Sequence, residues 1–198
     1  MSASRVFGED AAGLGEAALG LTAFEDEILS LTHRELPSGS YVDAHVHLGR
    51  DADGHELSAD DLVADLDRTG VSRAICFAPN APGSNGAFTD ANDLVLAAAG
   101  SHPERIVPCA RVDPGHGAPE ELARTATGGA RGLKLHPVAQ RFRPEAEESI
   151  AAVRAASELG WPTVIHAGFG ARALARPIRE LAEAVPDATL VLAHAGRG

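Results

Sequence analysis

The stretch from Arg131 to His194 holds three short apolar runs: Arg131-Gly-Leu-Lys-Leu-His136, Pro162-Thr-Val-Ile-His166 and Ala188-Thr-Leu-Val-Leu-Ala-His194. Their terminal histidines lie 30 and 28 residues apart. Between them the pattern turns helical. Over 144–159, Ile150, Val153 and Leu159 fall on one side and Gly160 follows as a stop, and a second helix is predicted from about Pro177 to just before Pro186. Strand–helix–strand units of this size, with strands apolar on both faces, predict a parallel sheet covered by helices.

Working upstream, the same alternation extends to Tyr41. Strands are predicted at 41–48, 71–78 and 106–112, so the chain carries about six β/α units. Helices fall between them, one capped by Ser58 and running to Arg68 before Gly70, one from Thr89 to Ala99, and a short one near Pro119. An open doubly wound sheet and a (β/α)8 TIM-type barrel both fit this order. No G-x-G-x-x-G follows the first strand, which removes the main support for a dinucleotide fold. Residues 1–39 differ in composition, and they predict one amphipathic helix around Leu21 to Leu31 and a linker ending at Pro37-Ser-Gly-Ser40. The expected domains are therefore 1–39 and 40–198.

Composition narrows the function classes. The 198 residues carry a formal charge of −11, which disfavours nucleic acid and anionic membranes as partners. No apolar run reaches membrane-spanning length, and residues 1–30 lack a basic start followed by an apolar block, so neither a membrane span nor a secretory signal is expected. Cys76 and Cys109 lie in apolar runs and read as reduced core thiols. The expectation is an acidic, soluble, cytoplasmic protein with a small-molecule substrate, assembled as a homo-oligomer.

Five of nine histidines stand at predicted strand ends: His45, His47, His136, His166 and His194. In parallel α/β folds this is the end where active sites are built. His45 and His47, two residues apart on a strand, project to one face and can reach a single metal ion. A pair of solvent-facing histidines is the plain alternative; repetition at three other strand ends favours the metal. Lys134, the only lysine, lies inside an apolar strand, where a charge is costly unless paired or modified. It reads either as a buried ion pair, with Asp43 as partner, or as a functional amine that grips a substrate carboxylate or is carbamylated. Asp43 is expected on the face of His45, one layer deeper, holding an imidazole or Lys134. Asn80, in the loop with the Gly-rich 83–86, and His136 are the candidate substrate contacts, while Arg141 and Arg143 are either carboxylate receivers or solvated. His33, His55, His102 and His116 read as surface.

Four motifs occur in order at barrel-strand spacing: Asp43-Ala-His-Val-His47, Gly132-Leu-Lys-Leu-His-Pro137, Val164-Ile-His-Ala-Gly168 and Leu192-Ala-His-Ala-Gly196. Together with Ser101-His-Pro-Glu-Arg105 and Arg111-Val-Asp-Pro114, this set resembles the amidohydrolase superfamily, in its branch of metal-dependent TIM-barrel hydrolases and decarboxylases. The resemblance covers about 41–198. It implies a divalent metal, zinc first, bound by His45, His47 and His166. His194 would bind a second metal or hold the attacking water and substrate oxygen. Lys134 is similar to the lysine that is carbamylated in two-metal members. The family also draws an aspartate from the end of strand eight, whereas six units end at Gly198; roughly 80 more residues would complete a barrel of usual size. Three readings stay open: a hydrolase attacking a carbonyl C–N or C–O bond, a decarboxylase with a similar centre, and a truncated non-catalytic relative that binds or oligomerises.

Overall fold

The computed structural model describes residues 40–81, 87–168, 171 and 174–196. The predicted helix near 21–31, His33 and the glycine-rich 83–86 lie outside the described residues. The elements in chain order are β1 (Tyr41–His47), β2 (Gly49–Arg50), β3 (Glu56–Leu57), α1 (Ala59–Thr69), β4 (Val71–Phe77), α2 (Thr89–Ser101), β5 (Ile106–Pro108) and β6 (Ala110–Arg111). There follow α3 (Ala118–Thr127), β7 (Leu133–Leu135), α4 (Pro137–Gln140), α5 (Glu147–Glu158), β8 (Thr163–Ile165), α6 (Ala175–Ala184) and β9 (Leu190–Leu192).

The predicted third strand, 106–112, is divided at Cys109. Its first half, β5, pairs with β4 in the order β1-β4-β5, and its second half, β6, begins the order β6-β7-β8-β9. The main chain here passes from one neighbour to the other. Cys109 N–H donates to the Cys76 carbonyl at 2.8 Å, and Ala110 N–H donates to the Gly132 carbonyl at 2.8 Å. Pro108 has no N–H to give, and its carbonyl accepts from Arg131 N–H at 2.8 Å. The result is one curved arc of six parallel strand positions in sequence order, with every main pairing parallel. This is a TIM-barrel type of α/β architecture represented by about six units. At its edges, Val42 is 51 % exposed, and Val191 and Leu192 are 44 % and 46 % exposed.

Local sequence accounts for most boundaries. Ser58 caps α1, accepting Asp61 N–H at 3.1 Å, and Gly70 ends the helix at φ +71°, a conformation glycine adopts without steric cost. Pro119 stands in the first turn of α3. Four expectations shift. The helix over 89–99 continues through Gly100 to Ser101, and the one over 144–159 is shorter, with Leu159 43 % exposed just past its end. The loop after His136 contains a turn of helix, α4. The sixth strand stops at Leu192, so His194 stands in a 3-10 turn, Ala193–Gly196, rather than on the strand.

Two apolar cores flank the arc. One joins β1 and β4 to α1 and α2 through Val46, Leu48, Leu62, Leu66 and Val95. The other joins β6, β7 and β8 to α3, α5 and α6 through Leu122, Leu133, Val153, Ile165 and Leu181. Cys76 and Cys109 are free and buried, as expected, and burial pushes both thiols up to about 12. Where the two halves of the arc meet, Gly132 is pressed against Cys109: an added Cβ would lie 2.8 Å from the Cys109 Sγ and 3.3 Å from the Pro162 carbonyl oxygen. Gly132→Ala is therefore expected to destabilise the fold by about 1–3 kcal/mol through overpacking, read as a lower urea midpoint with an unchanged slope.

Candidate metal and substrate site

The C-terminal ends of the strands bring the five predicted histidines together. His45 and His47 come from β1, His136 and His166 follow β7 and β8 by one residue, and His194 follows β9. His45 lies 5.3 Å from His47 and 4.9 Å from His194, centroid to centroid. His166 lies 5.0 Å from His194 and stacks on His136 at 3.8 Å with planes 11° apart. Phe77, fully buried at the end of β4, forms the floor. Its ring meets His45 and His47 edge-on at 4.8 and 4.9 Å, and the Lys134 Nζ lies 4.4 Å from its centroid.

Burial and neighbouring charge keep His45, His47 and His136 neutral. Burial first, then the Lys134 charge, pulls His45 down to about 3 and His47 down to about 4. Burial and the neighbouring His166 bring His136 to about 3. Neutral imidazole is the form that binds a metal. The His47 Nδ1 is buried without a hydrogen-bond partner, a lone site with capacity to spare. Among the described residues no three His, Cys, Asp or Glu side chains already enclose an ion, so these rings would have to turn to close on one. The donor set fits a divalent metal in chemistry and in neighbourhood; the cage is not preformed.

Lys134 is fully buried, and burial followed by the Arg111 charge lowers it to about 7. Its Nζ stands 3.4 Å from the His45 Nε2. The expected ion pair with Asp43 is not formed. Asp43 is exposed, and its Oδ1 accepts the His45 N–H at 3.0 Å. The cause is a bulge in β1: Asp43 pairs with Ala74 and Val46 with Cys76, three steps against two. That extra residue breaks the alternation that would have put Asp43 and His45 on one face. Asp43 is therefore not a buried carboxylate behind the ligands.

His194 adopts φ +57°, ψ +27°, and Ala195 also has a positive φ. For residues other than glycine this backbone conformation costs about 1–3 kcal/mol. The turn lays the imidazole against Gly168, where an added Cβ would fall 2.7 Å from the His194 Cδ2. The glycine of the Val164-Ile-His-Ala-Gly168 motif is thus the space in which His194 sits.

Asn80 is half-buried and accepts a hydrogen bond from the Arg111 Nη2 at 3.0 Å. Arg143 is taken by Glu145 at 2.6 Å and is largely solvated. His55 and His116 are surface residues near Asp51 and Asp113, and His102 approaches Asp60. Arg111, part of the Arg111-Val-Asp-Pro114 stretch, is the largest fully buried side chain among the described residues. A charge inside an apolar strand, the signal that drew attention to Lys134, was present there too.

The family pattern described as amidohydrolase matches residues 42–198. No curated protein matches the sequence. Among solved structures, a 2,6-dihydroxybenzoate decarboxylase from Rhizobium is 17 % identical, with a TM-score of 0.63 over 81 % of this chain and 68 % of the other. A probable 2-pyrone-4,6-dicarboxylic acid hydrolase from Acinetobacter baumannii, with citric acid bound, is 17 % identical, with a TM-score of 0.56 over 78 % and 58 %. A 5-carboxyvanillate decarboxylase from Novosphingobium aromaticivorans, complexed with manganese and a nitrobenzoic acid, is 20 % identical, with a TM-score of 0.56 over 68 % and 49 %. The chain thus spans about half to three-fifths of the length of the last two. At these identities the likeness establishes the shared fold. No helix among the described residues is long and apolar enough to cross a membrane.

Two outcomes are expected. In metal-free protein, His45, His47 and His136 bind protons near 6.5 when unfolded but only near 3–4 when folded. The unfolded state therefore holds more protons across that window, so stability is full above pH 6.5 and falls as pH drops toward 4. Urea midpoints at pH 7, 6 and 5 check the slope, and replacing all three histidines should flatten it. Gly168→Ala should displace the His194 ring, seen as a shift of its NMR signals, with a stability loss of about 1–3 kcal/mol.

Proposed function

Because the chain belongs to the amidohydrolase family, we propose that it forms the metal-binding part of a metal-dependent hydrolase acting on a carbonyl C–N or C–O bond of a small, carboxylated substrate. One observation carries this reading: imidazoles from four strand ends form a chain of contacts, with His45 and His47 held neutral at pH 7 and a buried His47 Nδ1 left without a partner. His45, His47 and His166 would hold one divalent ion, zinc in first place, since an all-imidazole set suits zinc. The ion, once bound, supplies Lewis-acid polarisation of a carbonyl and a lowered pKa for water.

The remaining residues take their roles from their contacts. Lys134 points its amine at the His45 Nε2, so a cation arriving there competes with the ammonium form. The neutral amine is the form open to carbamylation, which would support a second ion. His194, between His45 and His166, would take up and return a proton at a ring nitrogen. The His136 Nδ1 accepts the Ala139 N–H at 3.2 Å, which leaves its Nε2–H as a donor for a substrate oxygen. Asn80 would add an amide contact at the same mouth.

The substrate class is supported by charge. Lys134 and Arg111 are both fully buried, and among the described residues no carboxylate pairs with either. A divalent ion adds more positive charge, so an anionic substrate restores balance. The named relatives act on or bind carboxylated compounds, which supports the same class. A decarboxylase is the second reading, favoured by two of the three neighbours being decarboxylases. The acidic chain and its reduced thiols support a cytoplasmic location, and the apolar edge residues of β1 and β9 support self-association.

The decisive measurement is metal content per chain by elemental mass spectrometry, on wild type and on His45→Ala/His47→Ala. About one equivalent of zinc or manganese in the wild type and background in the double variant is expected, with helix content unchanged. Stoichiometric metal in the double variant would overturn the ligand set. Loaded protein is then offered a carboxylated lactone and a carboxylated phenol: ring opening supports the hydrolase, carbon dioxide release the decarboxylase. Well-folded, metal-free wild type would favour the non-catalytic reading.

A further inference from the structure

We propose that Arg111 is the positioning residue of this site: its guanidinium clamps the loop after β4 through Asn80 and the helix α4 through Gln140, and so sets the pose of His136. The inference rests on reading Asn80 and His136 as substrate contacts.

Three separate donors of Arg111 reach three acceptors. Nη1 donates to the Ala78 carbonyl at 3.1 Å, Nη2 to the Asn80 Oδ1 at 3.0 Å and Nε to the Gln140 Oε1 at 3.2 Å. The Phe88 ring covers the guanidinium at 4.9 Å. All of these acceptors are neutral. A buried guanidinium without a carboxylate is a costly way to gain stability, whereas its rigid fork suits tying several segments together.

Gln140 passes the constraint on. Its Oε1 also accepts the His136 N–H at 3.2 Å, and its Nε2 donates to the Val112 carbonyl at 2.8 Å. His136 caps α4 through its Nδ1, which assigns the ring proton to Nε2, and stacks on His166. Arg111 itself is anchored at the main chain. The Asn92 Oδ1 accepts its N–H at 2.9 Å, the Asn92 Nδ2 donates to its carbonyl at 2.9 Å, and Glu121 holds that amide at 2.8 Å. A chain of contacts thus runs from α3 through α2 and β6 to the rim of the site, and at Arg111 it divides toward Asn80 and toward Gln140. A lysine at this position has one point charge and cannot serve three acceptors in a fork.

The test is nitrogen-15 NMR of the imidazole and side-chain amide signals in metal-free protein at pH 7, comparing wild type with Arg111→Met and Gln140→Ala. In wild type, His136 should show one tautomer, with widely separated ring-nitrogen shifts. Arg111→Met should collapse that separation and move the Asn80 amide, while helix content stays as it was. Gln140→Ala should disturb His136 and spare Asn80. A folded Arg111→Met protein with unchanged His136 and Asn80 signals would overturn the proposal. Should that variant not fold, unchanged His136 signals in Gln140→Ala would overturn it. Neither metal nor substrate enters this measurement, so failure of the enzymatic reading and failure of the clamp are told apart.

Discussion

The main-chain hydrogen bonds around Cys109 set the height of one half of the site against the other. At that residue the third strand position ends its pairing with β4 and begins its pairing with β7. Because parallel pairing has a fixed register, the ends of β1, β4, β7 and β8 come level. His45, His47, Phe77, His136 and His166 are carried on those ends. Gly132, with no side chain to hold β7 away from Cys109, is what lets the two halves approach. A shift by one residue at this seam would turn the imidazoles away from one another and bring apolar side chains in.

On that frame sits an unusual charge arrangement. Two cations, Arg111 and Lys134, are wholly enclosed, and five imidazoles lie above them. Desolvation disfavours a proton on His45, His47 and His136; the Lys134 charge disfavours it further on all three, and the Arg111 charge on His47 and His136. At neutral pH these three rings therefore present neutral imidazole nitrogens backed by positive charge. Lone pairs favour a metal, and positive charge favours an anion beside it. Both tendencies follow from the same burial, which explains why the metal and the carboxylated substrate are proposed together.

How much of this could be read from residues varies with the type of constraint. Apolar runs ending in histidine at 30- and 28-residue spacing specify parallel strands with their histidines at one end, because alternation and helix length are local properties. Ser58 and Gly70 announced the bounds of α1 for the same reason. The outward turn of Asp43 is not legible in its own strand, because a bulge is an agreement between two strands, invisible along one of them. His194, at a predicted strand end, occupies a left-handed turn packed into the space over Gly168, a contact between segments 26 residues apart in sequence. At Arg111 the apolar run signals burial of a charge, but which acceptors the guanidinium meets is decided by segments distant in sequence.

The sequence by itself determined the fold class, the order of strands and helices, and the identity of the five histidines and one lysine at the mouth. Periodicity, capping and spacing act over a few residues or one β/α unit, so they are written along the chain. The tertiary structure alone decided which groups lose water, where Lys134 finds its neighbour, and which acceptors the Arg111 fork meets. Those depend on the register between strands and on burial, and both arise only when distant segments pack.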